Sequence, residues 1–136
     1  MALLLPQLNN FAKWVRFSRD FNFFATAATS NTRTLYTPAD GEVVLAVRMG
    51  VDASFSGGGI ATYTISIGQA STTDILGASD AFTPPANLYG ATPNVSAAFV
   101  GPSVITATAI STGADLDQAT AGRSQIWLLI ARLPSA

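Results

Sequence analysis

Apolar and polar residues alternate strictly along the segment 60–68 of this chain. Tyr63, Ile65 and Ile67 face one way, and a threonine or serine stands at each position between them. Period-two alternation of β-branched and aromatic residues indicates a β-strand with one buried face. A slip of one residue would turn every apolar side chain outward, so we expect the register of this strand to be well defined.

Similar patterns predict further strands after residue 20. They cover residues 21–27, 31–36, 42–52, 103–111 and 124–133. The segment 21–27 is an aromatic strand with partial alternation, and in 42–52 the alternate residues Val43, Leu45, Val47 and Met49 are expected on one face. The last strand, 124–133, is apolar on both faces. That pattern suits a central strand covered on both sides, or one whose second face contacts a partner.

Turn residues separate these segments. Pro38-Ala39-Asp40-Gly41 predicts a tight reversal, Gly57-Gly58-Gly59 a flexible connection, and residues 112–122 one turn of helix. The segment 70–102 is rich in glycine and proline and has room only for brief strands. Seven or eight short strands without a long helix or a repeat predict an all-β fold, a single antiparallel β-sandwich or jelly roll.

Residues 1–20 differ from the rest and predict an extended N-terminal arm ahead of a β-sandwich domain at 21–136. The spacing of Phe11, Trp14, Val15 and Ser18 is compatible with a short helical face. Such an apolar arm either covers an edge strand or docks on a neighbouring chain. The residues predicted to contact a partner are Leu3, Leu4, Leu5, Phe11, Trp14 and Phe17.

The composition argues against catalysis. The 136 residues include no histidine and no cysteine, and only 11% are charged. These two residue types supply most acid–base, nucleophilic and metal chemistry near neutral pH. A Ser-His-Asp triad is therefore excluded within this chain, and we expect no enzyme activity and no cofactor. Interface cores are depleted in charge, so the shortage of charge favours a surface covered by partner subunits; the alternative is a monomer with a Thr/Ser/Ala-rich surface.

Three short motifs do not reach the pattern that their chemistry needs. Asp115-Leu116-Asp117 resembles a fragment of a calcium loop, but the further oxygen ligands do not follow. Gly57-Gly58-Gly59 opens a strand, whereas a phosphate-binding loop opens a helix. Lys13, Arg16 and Arg19 lie among aromatic residues but are too few for a nucleic-acid surface. We expect no metal site and no nucleic-acid partner.

Two further classes of partner are a membrane and a carbohydrate. The longest apolar runs fall far short of the roughly 20 residues that cross a membrane, so we expect no membrane partner. Exposed aromatic residues bind sugars by stacking. Trp14 and Tyr89 lie outside the well-defined strands and are the candidates for such a platform, whereas Tyr63 and Trp127 are expected in the core.

Four segments together resemble the small β-sandwich structural proteins of tailed bacteriophages, of the capsid decoration (cement) or head-fibre type. They are residues 38–47, 55–68, 111–122 and 126–129. The likeness extends over about residues 20–133 and includes no catalytic signature, so no site residue is carried over. The N-terminal arm has no counterpart in it.

This resemblance implies a virion protein, assembled in the host cytoplasm, that stabilises the phage head. Such proteins form symmetric oligomers, often trimers, so it implies a homotrimer that contacts the major capsid protein or other virion proteins. Low charge and an apolar arm agree with that role. The alternative is a carbohydrate- or receptor-binding module of a phage fibre or tail.

Overall fold

The computed structural model describes residues 12–69, 75–84, 89–91 and 104–132. The described chain is nearly all β. Its one α-helix, α1, is a single turn at Phe21–Phe24, and a 3-10 turn covers Leu116–Gln118. The strands are β1 (Ala12–Asp20), β2 (Ser30–Tyr36), β3 (Glu42–Ser56), β4 (Thr62–Gln69), β5 (Leu76–Asp80), β6 (Tyr89–Ala91), β7 (Ile105–Thr112) and β8 (Ala121–Arg132).

The eight strands form two antiparallel sheets of four. Sheet A has the order β1-β8-β3-β6, and sheet B has the order β2-β7-β4-β5. The apolar faces of the two sheets meet in one core, as the predicted β-sandwich requires. The fold prediction is confirmed, and so are the strands predicted at 31–36, 60–68 and 103–111 and the helical turn within 112–122. No helix of the described ranges is long and apolar enough to span a membrane.

Aromatic rings form one end of the core. The rings of Phe55 and Tyr63 stack with centroids 4.7 Å apart, and Phe24 meets Phe55 edge to face at 6.4 Å. All three side chains are fully buried. Branched aliphatic residues from both sheets fill the remainder, among them Val47, Ile65, Ile67, Ile105, Ile126 and Leu128.

The strand predicted at 21–27 is wrong, because α1 occupies its first half. The Asp20 carboxylate accepts a hydrogen bond from the Asn22 amide at 3.0 Å and so caps the turn. Because of the helical turn, the neighbouring residues Phe23 and Phe24 both pack on the core. In a strand, their side chains would point to opposite faces. Helix α1 also contacts the 3-10 turn, β1 and β2.

Residues 12–20, expected in the arm with a helical face, form strand β1 instead. This strand pairs with β8 over nine successive rows, from Ala12 opposite Ala131 to Asp20 opposite Arg123. Half of its side chains therefore face the core, and this part of the predicted arm belongs to the sandwich. Leu3, Leu4, Leu5 and Phe11 lie outside the described residues, as does much of the segment 70–102.

The predicted face of the strand at 42–52 is also wrong in its first half. A β-bulge between Val44 and Ala46 inserts one residue and shifts the alternation. Val44, Val47 and Met49 consequently enter the main core, whereas Val43 joins Leu45 in a separate small cluster. The apolar pattern alone did not show where the extra residue would be placed.

The triple glycine connects sheet A to sheet B, and the structure shows a close-packed loop where a flexible one was expected. Gly57 has φ +126°, and a Cβ there would lie 2.7 Å from the backbone nitrogen of Thr120. The end of the 3-10 turn and the residues after it thus pack directly against the loop. Only glycine, which has no Cβ, allows the two backbones to lie so close together.

The Tyr63 hydroxyl is buried and has no hydrogen-bond partner among the described residues. Burial also raises the pKa of the Tyr63 phenol. An unsatisfied buried polar group costs roughly 1–3 kcal/mol.

We therefore expect Tyr63→Phe to raise the free energy of unfolding by about 1 kcal/mol in urea titrations. The control is Tyr36→Phe, which removes a hydroxyl that donates to Glu42 at 2.7 Å and should lower stability. Equal losses in both variants would contradict the prediction.

Candidate partner-binding face

The side of sheet A that faces away from the core is the candidate partner-binding face, called here the outer face. Register defines it, because directly opposed residues of paired strands point the same way. Ile126, Leu128 and Ile130 of β8 are buried in the core, so the residues between them point outward. The outer face comprises Trp14, Arg16 and Ser18 of β1, Ala46 and Arg48 of β3, and Gln125, Trp127, Leu129 and Ala131 of β8.

The centre of the outer face combines two indole rings with two guanidinium groups. Arg16 and Arg48 lie on either side of Trp127 in one row across three strands. The Arg48 guanidinium stands 5.5 Å from the ring centroid of Trp14, a cation–π contact. Trp14 is 44% exposed, whereas Trp127 and Leu129 are half-buried. This centre offers aromatic surface for contact and two cations for pairing.

A polar network closes one end of the outer face. Asp52 accepts hydrogen bonds from Arg123 Nε at 2.8 Å and from Gln125 Nε2 at 3.3 Å, and Gln125 Nε2 also reaches Ser18 at 3.1 Å. Desolvation raises the pKa of Asp52, but the hydrogen bonds from Gln125 and Arg123 outweigh it and leave the pKa lowered. Asp52 is therefore ionised and already paired, and it does not neutralise the central arginines.

The opposite end of the outer face is apolar. Val43 and Ala131 are buried there in a small cluster with Ala12 and Leu45, separate from the main core. Alternation along β8 places Ala131 on the same side as Leu129. Apolar side chains therefore continue along the outer side of sheet A from this cluster to Trp14 and Trp127.

Phe17, predicted beside Trp14 as a partner contact, points to the core side of β1. Its ring lies 5.9 Å from that of Tyr36, and the Arg19 guanidinium stands 5.4 Å from its centroid. The Tyr36 hydroxyl in turn donates to Glu42, whose pKa is lowered by the Ala39 backbone amide and then by this hydroxyl. Of the predicted partner residues within the described chain, Trp14 is exposed, whereas Phe17 packs against the core.

Trp14 and Tyr89 do not form a common platform. Tyr89 lies opposite Met49, a core residue, and so faces inward, where its hydroxyl donates to the carbonyl of Asp80 at 2.9 Å. Trp14 faces outward on the far edge of the same sheet. Tyr63 is buried in the core as expected, whereas Trp127 turns to the outer face.

Sheet B presents hydroxyl groups on its side away from the core. Thr32 and Thr108 share a hydrogen bond of 2.8 Å, and Thr62 and Thr112 share one of 2.6 Å. Ser66, Thr106 and Thr108 are nonetheless buried. The large exposed apolar residue there is Ile110, at 42%. Among the residues that the structure describes, this side lacks the aromatic and cationic character of the outer face of sheet A.

The Asp115-Leu116-Asp117 motif lies on the 3-10 turn with Leu116 buried. Within the described ranges no group of three or more histidine, cysteine or acidic residues is arranged to hold a metal ion. Neither Arg48 nor Trp127 was predicted as a partner-binding residue. Alternation within β8 predicts that the side chains of Trp127 and Ile126 point to opposite faces of the sheet. Only strand pairing shows that Trp127 lies beside Arg48 and Arg16.

The fold matches solved virus capsids. A chain from the cyanophage Pam1 capsid asymmetric unit superposes with TM-score 0.58 at 17% identity, over 90% of this chain and 85% of that one. A chain from the capsid of Ralstonia phage GP4 gives 0.57 at 16%, over 91% and 86%. Tomato aspermy virus gives 0.51 at 17%, over 90% and 80%. No family model and no curated protein matches the sequence. This chain therefore has the β-sandwich fold found in these capsids.

Proposed function

We propose that this chain is a non-enzymatic structural protein of a phage virion. The observation that carries the proposal is the outer face of sheet A, an exposed aromatic and cationic surface on a sandwich of the kind found in phage capsids. Tryptophan and arginine are enriched where proteins bind one another. A chain without histidine or cysteine, built around such a face, works through contact between folded subunits.

Within the virion, the finer role that we propose is capsid decoration or cement. The protein would assemble as a homotrimer on the head and stabilise the shell by contacts with the major capsid protein or other virion proteins. Trp14 contacts a neighbouring subunit in this arrangement, and Leu3, Leu4, Leu5 and Phe11, which precede it in the sequence, are proposed to contribute to the same contact. Low overall charge supports the proposal, because little repulsion keeps subunits apart.

A carbohydrate- or receptor-binding role remains the second candidate through Trp14 alone. The exposure of Trp14, at 44%, is the observation that favours it, since exposed indole rings stack on sugars. A glycan array with wild type and Trp14→Ala separates the roles. Glycan binding that depends on Trp14, without binding to shells, would replace the decoration role.

The decoration role predicts that Trp14→Ala weakens binding to purified virion shells that lack this protein. Removing a tryptophan at the centre of an interface typically costs about 2 kcal/mol or more, so we expect about 30-fold weaker binding. Ile110→Ala is the matched control, because Ile110 is 42% exposed, nearly as much as Trp14 at 44%, but lies on sheet B. Co-sedimentation with shells measures both variants. Equal binding by both, or no binding of the wild type, would contradict the proposal.

A further inference from the structure

Charge on this chain is divided unequally between sheet A and the remainder. Strands β1, β3 and β8 hold six of the seven basic residues but only three of the eight acidic ones. Sheet A therefore carries a net charge of +3, and the rest of the chain carries −4. Two regions of opposite sign on one molecule attract each other between copies, because complementary potentials orient the encounter.

The cations at the centre of the outer face are available for pairing. Within the described part of the chain the one ion pair joins Arg123 to Asp52, so neither Arg16 nor Arg48 is engaged by a carboxylate there. Arg48 is held over the Trp14 ring, which orients its guanidinium on the surface. A planar guanidinium positioned in this way suits recognition of a carboxylate.

Matching carboxylates stand on the 3-10 turn of the same chain. Asp117 is exposed and Asp115 is half-exposed, and no described basic side chain pairs with either. The turn is firmly anchored, because Leu116 is fully buried and its amide donates to the Ala28 carbonyl at 2.9 Å. The Asp117 amide likewise donates to Thr26 at 3.0 Å. The backbone that carries the two carboxylates is thus already ordered, which lowers the entropic cost of binding.

We propose that the outer face of sheet A binds the Asp115–Asp117 turn of a second copy of this chain. The inference rests on the proposed function and names the neighbouring subunit that Trp14 contacts. Packing two outer faces together would oppose Arg16 and Arg48 to their own copies, so a two-fold contact is unfavourable. The contact is head-to-tail, and such contacts close into rings or continue over a lattice. A trimer is one such ring.

The size of the outer face limits the strength of this contact. Nine rows along three strands span about 30 by 14 Å, or about 400 Å², half of the roughly 800 Å² that each partner buries in a stable complex. Association in solution is consequently weak and sensitive to salt. Copies held side by side on a shell would bind more firmly, because their effective concentration is high.

Sedimentation velocity of the isolated full-length chain, up to about 1 mM, tests the inference. The wild type is expected to self-associate, and about 0.5 M NaCl should weaken that association about tenfold relative to about 0.05 M. Arg48→Glu and Asp117→Lys should each weaken it at least tenfold. The matched controls, Arg33→Glu on β2 and Asp40→Lys in the β2–β3 turn, make the same charge changes elsewhere and should leave it unchanged. Thermal unfolding verifies that every variant is folded.

Asp117→Lys alone distinguishes a head-to-tail contact from a two-fold one, because two outer faces packed together would not involve Asp117 and would still associate. A mixture of the two variants then tests the pairing of the face with the turn. The Arg48→Glu copy keeps its acidic turn, and the Asp117→Lys copy keeps its basic face. We expect the mixture to associate with one-to-one stoichiometry, more strongly than either variant alone. Self-association that is insensitive to both variants, or a mixture that does not pair, would overturn the inference.

The outcome for the wild type separates this inference from the proposed function. If the isolated chain stays a monomer at every concentration but binds shells in a Trp14-dependent way, the neighbour of the outer face is another virion protein. The proposed function then stands and the inference is overturned. If the chain neither self-associates nor binds shells, both are overturned.

Discussion

Gly122→Ala is expected to lower the free energy of unfolding by about 3 kcal/mol, from a total that is typically about 5–15 kcal/mol. Gly122 is the second residue of β8 and has φ +140°, and a Cβ there would lie 2.5 Å from the Phe55 ring and 2.8 Å from the Phe55 Cα. Phe55 is fully buried and stacked on Tyr63, so it has no room to move away. The backbone conformation adds strain to the overlap.

Two other glycines separate the steric and the conformational parts of this effect. Gly59 has φ +87° but open space around its Cβ position, so Gly59→Ala should cost about 1 kcal/mol from conformation alone. Gly77 has open space and no positive φ, so Gly77→Ala should be close to neutral. Thermal denaturation of the three variants gives the ranking. A Gly122→Ala protein as stable as Gly77→Ala would show that β8 does not enter the core as described.

Phe17→Ala is expected to lower the free energy of unfolding by about 2–3 kcal/mol, below the usual 3–5 kcal/mol because the ring is only half-buried. Phe17 packs against the core and Tyr36 from the inner side of β1. Trp14→Ala, three residues earlier on the outer face, should change it by less than about 1 kcal/mol. Urea unfolding measures both variants.

The contrast between these two aromatic residues tests whether residues 12–20 form a strand of the sandwich in solution. In a free arm, neither substitution would alter stability, since both side chains would be solvated. Equal and small effects of Phe17→Ala and Trp14→Ala would therefore contradict the pairing of β1 with β8. A large effect of Trp14→Ala alone would place the outer face, not the inner one, against the core.

Strands with one buried face were predictable because their signal is local. The alternation of Tyr63, Ile65 and Ile67 predicted β4 and its core side, and the structure confirms both. The segment 21–27 was mispredicted because its aromatic residues suit a strand equally well. The capping of Asn22 by Asp20 and the space for Phe24 beside Phe55 decide for a helical turn. That space is made by residues about 30 positions further along the chain.

The bulge in β3 shows a second limit. Val43, Val44 and Leu45 are all apolar, so their sequence is compatible with either face pointing inward. Pairing with β8 places the extra residue between Val44 and Ala46, and this sends Val44 to the core and Val43 to the outer side. The choice is made by the fit between two strands, not by the preference of either one.

The candidate face is a product of pairing between distant segments. Arg16, Arg48 and Trp127 lie in one row although more than 70 residues separate Arg48 from Trp127. The sequence alone places Arg16 in a basic cluster with Lys13 and Arg19, and it places Trp14 and Phe17 together as partner-binding aromatic residues. It also predicts that Trp127 lies in the core. The pleat of β1 divides the first two groups between its two faces, and the central position of β8 brings Trp127 to the surface.

Composition and period-two alternation are local properties of the chain, so the amino-acid sequence was enough to predict an all-β fold and to show that histidine and cysteine are absent. The neighbours of each strand, the side that faces the core and the place where the charges gather emerge only when the two sheets pack. Those outcomes depend on the free energy of packing two sheets together, to which residues far apart in sequence contribute jointly.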